Sequence, residues 1–304
     1  MVFSSRLRTL LVLFAVVPLS GCLFRTRKVE QNPTLVALKA AKKSDLINYI
    51  NTQAAKIQSM QATVDIDTAV GGEKKGKVTE YQQIRGYVLA RKPAMLRMIG
   101  LLPIIRNTAF DMVSDGNEFK VSIPPKNRFV VGRNNLIIPN PQQPLESLRP
   151  QVIYDALLLR EIDPATEKAF LENSTETVVQ KGHKYEQPDY VIDIIKFTNS
   201  DAWLSRKIVF SRTDLLPNRQ LIYDENGALV TDARYSDYKD YNAVVFPSRI
   251  EIRRPEEEYD ITLTIVKMSM NLQLPNDKFV LQQPAGAQVI RLDNNPQATN
   301  GGNR

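Results

Sequence analysis

Few side chains in this sequence are of a type that does chemistry, and their spacing narrows the field further. The chain holds one cysteine, Cys22, and one histidine, His183, in 304 residues. A single thiol excludes a disulfide framework within the chain and any cysteine-rich zinc site. A single histidine excludes a His-pair metal centre, and zinc sites draw on several His or Cys ligands, so no metal site is expected. His183 lies in the polar stretch QKGHKYEQ and reads as a surface residue. Spacing leaves a Ser-His-Asp triad open, since its members meet in space, but no serine sits in a G-x-S-x-G elbow. VGGEKKGK lacks the Ser or Thr that follows the lysine of a phosphate-binding loop, and reads as a hairpin tip. Glu256, Glu257 and Glu258 beside Arg253 and Arg254 read as a solvated hairpin end. Trp203 and the tyrosines of YSDYKDY have the faces to stack on sugars, or to pack along an edge strand. No catalytic residue is expected, and the chain does not read as an enzyme.

Cys22 is the exception, because of what precedes it. Arg6 and Arg8 form a basic head, and Thr9 to Leu19 is an apolar run, too short to span a bilayer, which takes about 20 residues. A basic head, a short apolar run and small residues before a cleavage point read as a secretory signal peptide. Leu19-Ser20-Gly21-Cys22 resembles the bacterial lipobox. The resemblance implies that residues 1–21 are removed and that Cys22 becomes the first residue, carrying a diacylglycerol and an N-acyl lipid. No other cofactor is expected. An ordinary signal peptide with a chance cysteine, or a buried free thiol, is the plainer alternative. Two or more acyl chains, at about 0.8 kcal/mol per buried CH2, would hold a protein on a membrane durably.

Loss of residues 1–21 removes two arginines and no acid, lowering the net charge from +7 to +5. The charges are dispersed and no basic stripe interleaves with aromatics, so nucleic acid is not an expected partner. Arg25 to Lys28, RTRK, would meet anionic lipid heads or serve as a solvated tether. The organisation reads as a lipidated tether over 22–33, one domain over 34–292, and a disordered tail over 293–304 rich in Asn, Gly and Gln.

One helix is legible. Ser44 reads as its N-cap and Asp45 lies in its first turn; Leu46, Ile47, Ile50, Ala54 and Ile57 share one face, with Asn48, Asn51, Gln53 and Lys56 opposite. From Gln61 the period changes to two. Strands with short turns follow, among them Asp115-Gly116, and short connections imply antiparallel neighbours. The middle, with Leu145, Leu148, Val152, Ile153, Ala156, Leu157 and Leu159, reads as a proline-interrupted helix or two short helices, with Pro150 in a first turn. ATEKAFLENSTETVVQKGHKYEQ is looser, and a second strand set follows, with a turn at Asp224 to Gly227. The fold class is mostly β (α+β). An antiparallel meander of this length curls, giving a barrel or an incomplete one of about eleven or twelve strands, with helices covering its concave face.

The segments IQSMQATVDI, GYVLARKPAMLRMIGLLPIIRNTAFDMVSDGNEFKVSIPPKNRFVVG and FPSRIEIRRPEEEYDITLTIVKMSMNLQLPNDKFVLQQPAGAQVI together resemble the lipoprotein-localisation, LolA/LolB-like, superfamily. The resemblance runs from about Ser44 to Leu292 and rests on loose motifs: G-x-V-x-x-x-x-P, R-M-x-G-x-x-P, D-G-x-x-F and L-P-x-x-x-F. It implies an open antiparallel half β-barrel of about eleven strands, with helices lidding the concave face over an apolar cavity that takes acyl chains of lipoproteins or lipids. With a lipobox it points to the anchored LolB-like receptors, which accept lipoproteins from a periplasmic carrier. Alternation places Leu96, Met98, Phe110, Met112, Phe119, Val121, Ile208, Phe210, Ile261, Leu263 and Ile265 inward, as cavity lining or as plain core. Ile99 to Ile105, IGLLPII, is apolar where a turn is expected, which marks a contact surface or a turn tucked under the helices. In the LolB-like receptors a leucine projects near this place, and Leu101 and Leu102 match it.

The resulting expectation is a non-enzymatic lipid-binding or lipoprotein-binding protein, anchored to the outer membrane and facing the periplasm. Its partners would be membrane lipids, acyl chains and a periplasmic carrier. Leu23 supports that membrane, since the aspartate that retains enteric lipoproteins at the inner one is absent. The alternative is a scaffold lipoprotein with a filled barrel that binds peptidoglycan or an envelope complex.

Overall fold

The computed structural model describes residues 37–134, 149–180 and 183–292, the side chains of 178–180 and 183–184 excepted. The signal segment 1–21, Cys22, the tether 22–33, the tail 293–304, and Leu145 and Leu148 lie outside the described residues, as does the side chain of His183. By its contacts the chain forms a large unit, 36–176 with 187–304, and a small one, 1–35 with 177–186. The large unit carries the features below.

The strands are β1 (Ser59–Gly72), β2 (Lys77–Arg91), β3 (Met95–Leu101), β4 (Thr108–Ser114), β5 (Glu118–Ile123), β6 (Arg128–Arg133), β7 (Glu167–Gln180), β8 (His183–Phe197), β9 (Ala202–Ser211), β10 (Pro217–Tyr223), β11 (Leu229–Asp240), β12 (Val245–Arg254), β13 (Tyr259–Met270) and β14 (Gln288–Arg291). They form one open sheet of fourteen strands, in the order β14-β6-β5-β4-β3-β2-β1-β13-β12-β11-β10-β9-β8-β7. Two meanders are thus joined where β1 pairs with β13, Val64 opposite Ile265 and Ile66 opposite Leu263. The expectation of about eleven antiparallel strands is corrected in two ways. The loose stretch after Pro164 is β7 and the start of β8, whose polar residues hid the alternation. And β14 lies parallel to β6, so the sheet is mixed.

The turns follow their chemistry. Asp115 Oδ1 accepts from the N–H groups of Asn117 and Glu118, both at 2.8 Å, with Gly116 at φ +97°. Asp224 does the same for Asn226 and Ala228 at 3.0 and 2.8 Å, with Gly227 at φ +82°. Gly86 and Gly100 face each other across β2 and β3. A Cβ on Gly100 would stand 2.4 Å from the Phe110 ring and 2.8 Å from Ile84 Cδ1. The missing side chain is what lets Phe110 fold over the sheet.

Helix α1 (Lys43–Lys56) starts earlier than Ser44: the N-cap is Lys42, whose N–H donates to Asp45 Oδ2 at 3.0 Å. An acid at the third helical position reaching back to the cap residue does the work assigned to serine. Leu46 and Ile50 are buried against Tyr190, Ile192, Ile194, Ile208 and Phe210, and Tyr49 meets the Phe210 ring edge-on at 5.6 Å. Helix α2 (Pro150–Leu157) has Pro150 in its first turn, as the sequence implied.

Helix α2 reveals the curvature of the sheet. The Arg149 guanidinium lies 5.1 Å from the Phe119 ring on β5. Gln220 of β10 donates to the Asp155 carbonyl at 2.9 Å, and Tyr235 of β11 donates to that of Ala156 at 3.0 Å. Strands β5 and β10 are eight spacings apart in the sheet order, ~38 Å if flat. An eight-residue helix is only about 12 Å long. The sheet therefore bends around α2. The segment after α2 is held by Arg206, 1% exposed, which donates to the carbonyls of Arg160 and Glu161 and to Glu167 Oε2, each at 2.9 Å.

Candidate lipid-facing site

All eleven inward candidates do lie on the face covered by the helices, and none is more than 4% exposed. Leu96, Met98, Phe110, Met112, Phe119, Val121, Ile261, Leu263 and Ile265 belong to one continuous apolar cluster with α2. Ile208 and Phe210 belong to the cluster under α1. They are packed against protein side chains, and none of the eleven lines an open space described below.

A gap exists elsewhere. It lies between the second half of α1, the residues from Ala156 to Leu159, and one end of β10, β11 and β12, with a volume of about 30 Å³. That is room for about one or two waters. Its walls include Tyr49, Ala54, Ile57, Leu159, Tyr238 and Phe246, and no charged side chain contributes to them. Gln53 lines it too, and its Oε1 is shut off from solvent without accepting a hydrogen bond. Gln53 was expected on the solvent face of α1; it sits one turn from Tyr49 and faces inward. Asn51, also expected outside, accepts from the Ile162 N–H at 2.9 Å. Tyr49 is pushed up to about 12, mainly by burial and secondarily by Asp214, so its phenol stays protonated. Tyr235 and Tyr238 are not edge-strand aromatics: β11 is internal, and Tyr238 donates to the Pro217 carbonyl at 2.6 Å. Alternation could not find this gap, because its polar members come from a helix and its aromatic members sat in a run that looked too polar to be core.

The apolar turn after β3 is the other notable place. Leu101 and Leu102 are half-buried, whereas Ile104 is 97% exposed and Ile105 63% exposed. The Leu102 N–H donates to the Asn107 carbonyl at 2.7 Å, and the Arg106 N–H to that of Leu102 at 3.0 Å, closing the turn. Ile104 takes φ +67°, a region costly for a β-branched residue. The projecting pair is therefore Ile104 and Ile105, two or three positions beyond the leucines picked out by resemblance. The reason is the closure of the turn, which keeps the two leucines beside the strand ends.

The acidic hairpin end is only partly solvated. Lys74 pairs with Glu256 at 2.9 Å in solvent, but the half-buried Glu257, its side chain 8% exposed, is paired with the buried Arg254.

Comparison with known proteins adds the following. A family model described as an uncharacterized protein matches residues 163–283. No curated protein is similar to the chain in sequence. Among solved structures, a LolA-superfamily protein from Nitrosomonas europaea is similar at 16% identity and a TM-score of 0.46, over 77% of this chain and 97% of that one. A domain named for outer-membrane lipoprotein sorting, from Vibrio parahaemolyticus, is similar at 14% identity and a TM-score of 0.46, over 77% and 94%. A DUF1329-family protein from Desulfovibrio piger is similar at 15% identity and a TM-score of 0.44, over 78% and 95%. At these identities and TM-scores the similarities assign the chain to no family.

Proposed function

We propose that the chain is a non-enzymatic, acyl-binding protein of the bacterial envelope, held at the outer membrane by lipid on Cys22 and facing the periplasm. On this reading the bent sheet is a half barrel, the two helices are its lid, and the chain stands nearest the LolB-like receptor branch. It accepts acyl chains of lipoproteins or free lipids, in the first case from a periplasmic carrier. The observation that carries the reading is the pair of apolar clusters, one under each helix, with a gap left between the helices and the sheet where Gln53 Oε1 accepts no hydrogen bond. No charged side chain lines that gap, which suits a hydrocarbon chain with a neutral ester or amide end. In the described state the gap is far too small for such a chain, so entry requires α1 or the β11–β12 hairpin to move outward.

A second reading is favoured by the packing itself: the eleven inward residues fill the interior, as a scaffold lipoprotein binding peptidoglycan or an envelope complex would have it. The two separate in one titration. The full chain with Cys22→Ser, so that no lipid is added there, is titrated with a fluorescent acyl ester. Acyl binding predicts saturable uptake, weakened about tenfold or more by Leu159→Trp, which blocks the gap, with the unfolding temperature unchanged. No saturable uptake by the parent chain contradicts acyl binding and leaves the scaffold.

A further inference from the structure

The sheet ends at β7, and among the described residues no strand pairs with its outer edge. The part of β7 in the large unit is 167–176. The carbonyl of Thr166 accepts from the Phe197 N–H of β8 at 2.9 Å. Backbone groups alternate sides along a strand. Those of Lys168, Phe170 and Glu172 therefore also turn to β8, and those of Ala169, Leu171 and Asn173 turn to the open edge. The Lys43 ammonium meets the Ala169 carbonyl there at 3.4 Å, in solvent, one flexible contact that an incoming strand would displace. Side chains alternate as well. Ala169 and Leu171 are half-buried against the cluster under α1. Lys168, Phe170 and Glu172 stand on the opposite, outer face, all exposed, Phe170 by 54%. A large aromatic exposed on an open edge is what edge strands ordinarily avoid.

We propose that this edge pairs with the same edge of a second copy, antiparallel, about a two-fold axis through Phe170. A two-fold contact must be complementary to itself, residue by residue, and the charges choose the register. Centred on Phe170, it sets Phe170 against its counterpart, Lys168 of each copy opposite Glu172 of the other, and Ala169 opposite Leu171. Aromatic pairs and opposite charges directly across an antiparallel ladder are favourable, and the half-buried Ala169 and Leu171 gain cover. Centred on Glu172 or Ser174 instead, the strand would set Glu172 against Glu172 or against Glu176, like charges that oppose pairing. Glu172 already holds Lys207 of β9 at 3.5 Å, and the second copy's lysine would reach it from the other side. The ladder bonds at Ala169 and Leu171 would satisfy the free backbone groups of both copies. The contact is short, so the dimer is weak and concentration-dependent. The inference does not rest on acyl binding.

The test uses the full chain with Cys22→Ser, so that attached lipid plays no part, and reads its mass by sedimentation equilibrium over a range of concentrations. The parent is expected to self-associate. Lys168→Glu sets two acids against each other at both ends of the pairing, and Glu172→Lys sets two cations. Each variant alone is expected to raise the dimer dissociation constant about tenfold or more. An equimolar mixture of the two restores both opposite-charge pairs and is expected to regain the parent's affinity, which misfolded variants could not do. Phe170→Ser should weaken the dimer with the unfolding temperature unchanged. A parent that stays monomeric up to about 1 mM overturns the proposal. A dimer unmoved by these substitutions overturns β7 as its seat. A mixture as monomeric as its components overturns the register and points to a foreign extended segment on this edge instead. None of these results bears on the acyl-ester titration.

Discussion

Asp189 shows how much a single residue in this sheet is settled by its surroundings. It is 2% exposed and lies on β8. Its carboxylate is approached by the amides of Gln187 and Asn218, each at 3.5 Å, and pairs with no cation among the described residues. Burial, the largest influence, raises it above its usual 3.8; the two amides lower it, and Glu176 and Asp214 raise it. An acid whose folded value is raised contributes stability that is full below the unfolded value and lost as pH rises through the folded one. Asp189→Asn should therefore raise the unfolding temperature near pH 7 and flatten the decline of stability above pH ~4. A variant that unfolds at the same temperature as the parent across that range contradicts this. The sequence displayed Asp189 only as one acid in DYVIDIIKF, with nothing to mark it as buried. The projecting isoleucines were similarly half legible. IGLLPII announced an apolar turn, but which residues project depends on how the turn closes, and that is fixed by backbone bonds between Leu102, Arg106 and Asn107.

At the scale of elements, the apolar stripe of α1 was readable because helical spacing collects Leu46, Ile50, Ala54 and Ile57 on one side. Its start was not, since Asp45 caps from within the helix and serine looked the better candidate. The polar side of α1 was also only half right: on a helix roofed by loops and sheet ends, Asn51 and Gln53 have protein around them. Ile50 is fully buried beneath α1, so Ile50→Ala should cost about 2–5 kcal/mol, measured by urea unfolding. A cost below 1 kcal/mol would mean that α1 is not firmly seated on β8 and β9. Among the strands, those with both neighbours and a covered face, such as β3 and β13, were legible by alternation. β7 was not, because an edge strand with one exposed side needs no apolar period.

The described part of the large unit is a sheet bent around two short helices, with an apolar turn at one end of it. The bend was foreseeable from strand number alone; the filling was not, because alternation cannot distinguish a wall of a cavity from a wall of a core. That distinction is where the account is most exposed, since its central claim is that an acyl chain parts the helices from the sheet. The most direct measurement is photo-crosslinking in vesicles that contain a phospholipid with a diazirine on its acyl chain, using the full chain and mapping the labelled peptides by mass spectrometry. The account predicts labels on residues 49–57 and 235–247, which wall the gap, lost in Leu159→Trp. Labels confined to the turn at Ile104 and Ile105, with none around the gap, would contradict it.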